Sequence, residues 1–141
     1  MPSFEPAQLA TWTSGRWNRD PGSALTGFGI DTRTLSAGQV FVALRTEQRD
    51  GHDFLQQAAE AGAGAALVDE ARPECDLPQL VVADPLRAFQ QIALKHRQNF
   101  LGKVIGITGS AGKTSTKNLL AGMLGDRTLS TQGNLNNHLG V

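Results

Sequence analysis

The chain has 141 residues, of which 40% are hydrophobic, and its formal net charge is zero. This length and apolar content predict one domain, or two small ones, with a buried core. Zero net charge disfavours nucleic acid and anionic membranes as partners, because no basic field would attract them. The first residues lack the pattern of a signal peptide, and no stretch approaches the roughly 20 apolar residues of a membrane helix. We therefore expect a cytoplasmic, monomeric α/β protein with no nucleic-acid partner and no membrane insertion.

The first 83 residues have the pattern of a small mixed α/β domain. Helices are predicted at residues 6–12 and 53–62, and strands at 25–33, 39–45, 65–69 and 80–83. Residues 40–44 form an almost continuous apolar run, which is typical of a strand buried on both faces. In the second helix, Asp53 is the predicted N-cap, Gln56 completes a capping box, and Gly62 ends the helix.

A second domain is predicted to begin at about residues 83–85. Asp84 followed by Pro85 is a strong helix start, because the aspartate caps free amides and proline suits the first turn. The apolar face expected for this helix consists of Leu86, Phe89, Ile92 and Ala93. Further along, we predict a buried strand at 103–109 and then a helix with an apolar stripe that ends at Gly125. A short strand at 128–131 and a polar loop at 132–141 follow.

The stretch "GITGSAGKTST", residues 106–116, predicts a phosphate-binding loop. Strand, glycine-rich turn, lysine, threonine and helix follow in the order that phosphate binding requires, since the turn and the helix N-terminus present N–H groups to anionic oxygens. Lys113 is the expected catalytic cation at the β- and γ-phosphates, and Thr114 the expected Mg²⁺ ligand. The predicted ATP-binding residues are Thr108, Gly109, Ser110, Ala111, Gly112, Lys113, Thr114 and Ser115. Because Ile107 occupies the first glycine position of the general pattern, an ordinary strand-to-helix turn with a solvated lysine is the alternative.

The stretch "TGSAGKTST" resembles the phosphate loop of the Mur ligases, the ATP-dependent amide-bond-forming enzymes of peptidoglycan precursor synthesis. That family's pattern also lacks the first glycine, so Ile107 agrees with it. Residues 31–69 resemble the family's N-terminal uridine-nucleotide domain, and "TQGNLNNHLGV", residues 131–141, resembles the segment after the phosphate-loop helix. The resemblance implies a substrate-binding domain over residues 1–83 and the beginning of a P-loop α/β ATPase domain over 84–141, with the C-terminal domain absent.

The resemblance also assigns residues to the UDP-sugar pocket. Asp31, Thr32 and Arg33 would help to form it, and the alternative is a capped turn with an exposed arginine. Arg45 and Thr46 lie beside the pocket in the family pattern, although a glycine is commoner there than Thr46.

Polar residues late in the chain are assigned to the substrates as well. Asn134, Asn136 and Asn137 would line a polar substrate path, or else they build a turn. Thr131 would contact substrate or Mg²⁺. His52, within "DGHDF", is interpreted as part of a turn and helix cap, because no second titrating partner lies near it in the sequence.

The implied reaction passes the γ-phosphoryl group of ATP to a substrate carboxylate, and an amine then displaces phosphate. The segment "GNLNN" favours UDP-N-acetylmuramoyl-tripeptide and D-alanyl-D-alanine as the substrates, with ATP and Mg²⁺ as cofactors. The alternatives are the sister ligase that adds the third amino acid to UDP-N-acetylmuramoyl-dipeptide, and a non-catalytic uridine-nucleotide-binding module. Because the family's later metal ligands and amine-delivering domain are missing, we expect an N-terminal fragment that is inactive as a ligase by itself.

Overall fold

The computed structural model describes residues 2–131. The chain divides into two compact units, of which the first ends at Phe100 and the second begins at Leu101. Helices and strands of the first unit are α1 (Pro6–Thr13), β1 (Arg16–Trp17), β2 (Phe28–Gly29), β3 (Val40–Val42), α2 (Leu55–Glu60), β4 (Ala65–Val68), β5 (Gln79–Val81) and α3 (Pro85–Asn99). No helix among the described residues is both long and apolar enough to cross a membrane.

A five-stranded mixed sheet forms the centre of the first unit. Its strand order is β1-β5-β4-β3-β2, and only the β1–β5 pair is antiparallel. Phe28 pairs with Val40, Val40 with Ala65, and Leu67 with Leu80. The mixed α/β class predicted from the sequence is therefore confirmed, whereas the two-residue strand β1 was not predicted.

Helices cover both faces of the sheet because the central strands are apolar on both faces. Val40 and Val42 belong to a cluster with Leu9 of α1 and Ile92 of α3. Phe41, on the opposite face of the same strand, belongs to a second cluster that includes residues of α2. Side chains alternate along a strand, so a run without polar residues must be buried on two sides. The result is a three-layer α/β/α unit.

Helix α3 packs into the first unit and begins as predicted. The Asp84 carboxylate accepts a hydrogen bond from the Arg87 N–H at 3.1 Å, and Pro85 lies in the first turn. The buried residues of α3 are Pro85, Ala88 and Ile92, while Leu86 and Phe89 are half-buried and Ala93 is exposed. Because α3 contributes to the same core cluster as α1 and β3, the first compact unit extends beyond the boundary predicted at residues 83–85.

The predicted N-cap of α2 is wrong. A 3₁₀ turn, Gly51–Phe54, precedes the helix, and the carboxylate of Asp50 rather than that of Asp53 caps it, accepting the His52 N–H at 2.9 Å. Helix α2 itself has no side-chain cap. The cap lies three residues earlier than predicted because Gly51 brings the chain against the end of β3, where its N–H donates to the Leu44 carbonyl at 2.9 Å.

The second unit contains the helix α4 (Lys113–Leu124), which ends at Gly125 as predicted, and a 3₁₀ turn, Gly125–Arg127. The strands predicted at 103–109 and 128–131 are absent from the described residues. A strand requires a hydrogen-bonded neighbour, and every strand pair within residues 2–131 lies in the first unit. Apolar side chains of the second unit are correspondingly exposed, among them Val104 and Met123.

Gln79 is a fully buried polar residue that ties the β4–β5 connection to the sheet. Its amide accepts the Arg72 N–H at 2.7 Å and donates to the Arg72 carbonyl at 2.9 Å. Gln79→Met keeps the side-chain volume but leaves both backbone groups without this partner, so we expect it to lower the free energy of unfolding by about 2 kcal/mol. Chemical denaturation measures this loss. Gln90→Met, the same change on the exposed face of α3, should cost almost nothing.

Candidate functional site

The residues assigned to the substrate pocket follow neighbouring parallel strands. Asp31 to Arg33 come after β2, Arg45 and Thr46 come after β3, and Asp69 comes directly after β4. Because β2, β3 and β4 are parallel neighbours, their carboxyl ends lie at one edge of the sheet. Open α/β sheets bind ligands outside this edge. The fold therefore brings the two predicted groups of pocket residues to one side of the first unit.

Asp31 and Arg33 form a tight local pair at this edge. The Asp31 carboxylate accepts the Arg33 N–H at 3.0 Å, the Nε–H at 2.9 Å and an Nη2–H at 2.5 Å. The side-chain bonds from Arg33, more than the backbone bond, lower the pKa of Asp31 to about 2. Asp31 is accordingly an anion that fixes both the turn and the guanidinium. The capped turn with an exposed arginine is therefore present, and it lies at the edge where the pocket was predicted.

One further contact attaches this turn to its surroundings: the Thr32 hydroxyl donates to Oε1 of Gln57 on α2 at 2.6 Å. The positive charge of Arg49 also lowers the pKa of Asp31. The loops after β2 and β3 are adjacent because these two strands are parallel neighbours.

The Asp31–Arg33 pair predicts a measurable titration. Arg33→Gln should raise the pKa of Asp31 from about 2 towards its ordinary value of 3.8. A lowered pKa in the folded state means that the pair stabilises the fold above about pH 4, and that this contribution is lost as the pH falls through 2. Carbon NMR of the carboxyl group measures the midpoint. Arg97→Gln, on α3, is the control and should leave it unchanged.

Arg45 is held by three carboxylates. Its Nε lies 3.3 Å from Oδ2 of Asp50, and its Nη2 lies 3.3 Å from Oδ1 of Asp69 and from Oε2 of Glu70. The side chain remains 45% exposed, so one side of the guanidinium faces solvent. Arginine presents donors in a planar fork that suits carboxylates and phosphates.

His52 lies behind this arginine, with a completely buried side chain. Its Nδ1 is 2.6 Å from Oδ1 of Asp50, and its Nε2 is 2.9 Å from Oδ1 of Asp69. The first contact is a hydrogen bond, whereas the second is close but lacks hydrogen-bond alignment among the described residues. Partial burial raises the pKa of Asp50, but the hydrogen bonds from the His52 backbone and ring, together with nearby positive charge, lower it below its ordinary value overall.

The sequence interpretation missed this buried group. It found no titrating partner for His52, and the structure gives it two, Asp50 and Asp69. Asp69 is 17 positions later in the sequence, so only the parallel pairing of β3 with β4 brings it to the ring. A carboxylate directly after an apolar strand, as in "AALVD", was the available signal.

Thr46 lies in a closed turn after β3. Its N–H donates to the Arg49 carbonyl at 2.8 Å, and its hydroxyl donates to the same carbonyl at 3.2 Å. Residues 46–48 line a shallow pocket of about 270 Å³. Threonine therefore closes this loop through its own side chain.

The predicted phosphate loop, residues 106–116, lies in the second unit. Gly112 is the N-cap of the 12-residue helix α4 and has φ 77°, a left-handed conformation that glycine adopts without strain. Since glycine has no side chain, it does not cap the N–H groups of the first helical turn, which suits an anion. The Lys113 ammonium donates to the Gly109 carbonyl across the loop. Thr114, the predicted Mg²⁺ ligand, is the next residue of α4.

Thr131 lies close to the same helix. Its carbonyl accepts a hydrogen bond from Nζ of Lys117 at 2.6 Å, one turn beyond Lys113. Asn134, Asn136 and Asn137 lie outside the described residues. No cluster of His, Cys, Asp and Glu within residues 2–131 could by itself hold a metal ion.

The fold is α/β, and comparison with known families gives a match. The model described as "Mur ligase family, catalytic domain" matches residues 24–106, more than half of the chain. The chain belongs to the Mur ligase family. The match ends at Gly106, the first residue of the stretch predicted to bind phosphate.

Individual relatives agree with the family. The chain is 50% identical over 114 residues to UDP-N-acetylmuramoyl-tripeptide–D-alanyl-D-alanine ligase of Escherichia coli, a match that covers 79% of this chain and 25% of that protein. The Bacillus subtilis ligase of the same name is 42% identical over 123 residues, covering 84% of this chain and 27% of that protein. The chain thus spans about a quarter of the length of these relatives.

Solved ligase structures resemble most or nearly all of the chain. The D-alanyl-D-alanyl ligase from Acinetobacter baumannii superimposes with a TM-score of 0.86 at 37% identity, covering 99% of this chain and 32% of that one. MurF ligase from Thermotoga maritima, solved in complex with ADP, has a TM-score of 0.65 at 33% identity, covering 80% of this chain and 27% of that one.

Proposed function

We propose that this chain is the N-terminal portion of an ATP-dependent ligase that joins D-alanyl-D-alanine to UDP-N-acetylmuramoyl-tripeptide. The observation that carries the proposal is the pairing of two features in one chain of this family. One is the carboxyl edge of the sheet, where Arg33 and Arg45 are held by carboxylates. The other is the phosphate loop, with glycine as the N-cap of α4 and Lys113 beside it.

The carboxyl edge of the first unit binds the UDP moiety. Arg33 and Arg45 face anionic oxygens of the ligand, and Thr32 and Thr46 order the two loops that carry them. When the UDP end of the long substrate is held, its distant peptide carboxylate is positioned as well, although no group of the first unit contacts that carboxylate. Residues 1–83 then serve for recognition, as predicted for the first domain.

The phosphate loop binds ATP. Its N–H groups and Lys113 hold the β- and γ-phosphates, and Lys113 reduces the repulsion between the triphosphate and the approaching carboxylate. Mg²⁺ prefers oxygen ligands, and the Thr114 hydroxyl together with phosphate oxygens of ATP and water would provide them. The bound ion would neutralise part of the phosphate charge. The peptide carboxylate takes the γ-phosphoryl group, ADP leaves, and the amine of D-alanyl-D-alanine then displaces phosphate to form the amide.

Calorimetric titration of the chain tests recognition directly. We expect saturable binding of UDP-N-acetylmuramoyl-tripeptide, and a rise in the free energy of unfolding of about 2.7 kcal/mol when the ligand is at 100 times its Kd. UDP should compete for the same site, whereas N-acetylmuramoyl-tripeptide without the UDP moiety should not. Absence of both binding and stabilisation would contradict the proposal, and equal affinity for the muramoyl peptide alone would place recognition away from the arginines.

A further inference from the structure

Resting on the proposed function, we infer that His52 is a positioning residue of the nucleotide-sugar site. It acts through Asp50 and Asp69, two of the three carboxylates around Arg45; the third is Glu70. The ring itself does not reach the ligand, since its side chain is completely buried. Its contribution is to fix the direction in which Arg45 faces solvent.

The two carboxylates are shared between the imidazole and the guanidinium. Oδ1 of Asp50 faces His52 Nδ1 while Oδ2 of the same group faces Arg45 Nε. Oδ1 of Asp69 lies 2.9 Å from His52 Nε2 and 3.3 Å from Arg45 Nη2. Each acid is therefore placed between a buried ring and an exposed cation, and removing the ring leaves each acid with one fewer fixed neighbour.

The backbone around the ring restricts its movement. The Asp50 carboxylate accepts both the backbone N–H and the ring nitrogen of His52, so the ring is tied to its own turn. Gly51 packs directly against the backbone of Leu44, at the end of β3. The ring is therefore fixed to its turn, and its Nε2 is held 2.9 Å from Oδ1 of Asp69, directly after β4.

The geometry of Arg45 explains why its direction matters. Among residues 2–131, its ion pairs use Nε and Nη2, and none uses Nη1. The carboxylates hold the Nε and Nη2 side of the fork, and among the described residues its second side, at Nη1, has no ion pair, while the side chain as a whole remains 45% exposed. An anionic ligand such as a nucleoside diphosphate sugar is recognised by that second side, provided that the first is fixed.

A double-mutant cycle on the 141-residue chain tests the inference, with UDP-N-acetylmuramoyl-tripeptide as the probe and its Kd measured by calorimetry. His52→Phe keeps a ring of similar size but removes both nitrogens, and Arg45→Met removes the guanidinium. We expect each single variant to weaken binding roughly tenfold, and the double variant to bind no more weakly than Arg45→Met, since coupled residues are not additive. His52→Asn, which returns a donor near the position of Nδ1, should recover part of the loss.

Two controls separate positioning from stability. Ile92→Val removes one buried methylene from α3, in the core cluster that α3 forms with α1, and it should lower the unfolding temperature while leaving Kd unchanged. Asp69→Asn removes the negative charge between the ring and the arginine while keeping nearly the same side-chain shape. It replaces His52→Phe in the cycle if that variant does not fold. Wild-type Kd in His52→Phe, or full additivity with Arg45→Met, would overturn the inference alone. No binding by the unaltered chain would overturn the proposed function and this inference together.

Discussion

Replacing Lys113 with methionine is expected to reduce kcat by about 10²–10³-fold, measured in the full ligase to which we propose this chain belongs. The methionine keeps a long unbranched side chain at the first position of α4 and removes only the positive charge. That charge has its largest effect when carboxylate and triphosphate approach each other, so kcat should fall more than the affinity for UDP-N-acetylmuramoyl-tripeptide. Steady-state release of phosphate at saturating substrate concentrations measures kcat.

The matched control is Lys103→Met, which removes an exposed lysine of the same unit outside the loop. It should leave kcat close to that of the unaltered enzyme. If Lys113→Met had the same small effect as the control, the loop would be an ordinary strand-to-helix turn with a solvated lysine. Unchanged UDP-sugar binding by Lys113→Met is also expected, because recognition of that ligand is assigned to the first unit.

Local signals predicted those elements of the fold whose causes are local. Asp84 and Pro85 begin α3 because a carboxylate and a fixed φ are all that this helix start requires. Strands β3 and β4 were predicted from apolar runs, since burial on both faces leaves no polar position. Helix α4 and its end at Gly125 follow from the same kind of information.

Predictions failed where a distant part of the chain decides the local structure. Strand β1 is only two residues long, and it exists because Arg16 and Trp17 pair with β5. Residues 103–109 have the composition of a buried strand but no strand partner among the described residues. The cap of the 3₁₀ turn is Asp50 rather than Asp53, because the close approach of Gly51 to β3 sets where the turn begins.

The candidate site shows the same division. The glycine-rich loop was predicted from consecutive residues, and its helix and left-handed Gly112 agree with that prediction. The buried contact between His52 and Asp69 was not predicted, because it depends on the register of two parallel strands. The sequence therefore indicated which residues could belong to the site, while the pairing of the strands determined which of them are in contact.

Gly51→Ala is expected to destabilise the first unit by about 1–3 kcal/mol. A Cβ at this position would lie 2.6 Å from the Leu44 N and 2.7 Å from the Leu44 O. Both are backbone atoms, so no side-chain rotation relieves the clash, and the turn must move away from β3. For a unit of about 100 residues, such a loss lowers the unfolding temperature by roughly 10 °C. Differential scanning calorimetry measures the shift.

The same movement should weaken ligand binding, because the turn that starts at Gly51 carries His52 and is capped by Asp50. Affinity for UDP-N-acetylmuramoyl-tripeptide should therefore fall in Gly51→Ala even at temperatures where the variant is fully folded. Gly106→Ala, whose added methyl group meets nothing within 4 Å, should change neither property. A Gly51→Ala chain that is less stable yet binds with unaltered affinity would mean that the turn supports the fold without setting the position of Arg45, and the arginine would have to be held by Glu70 and its own strand instead.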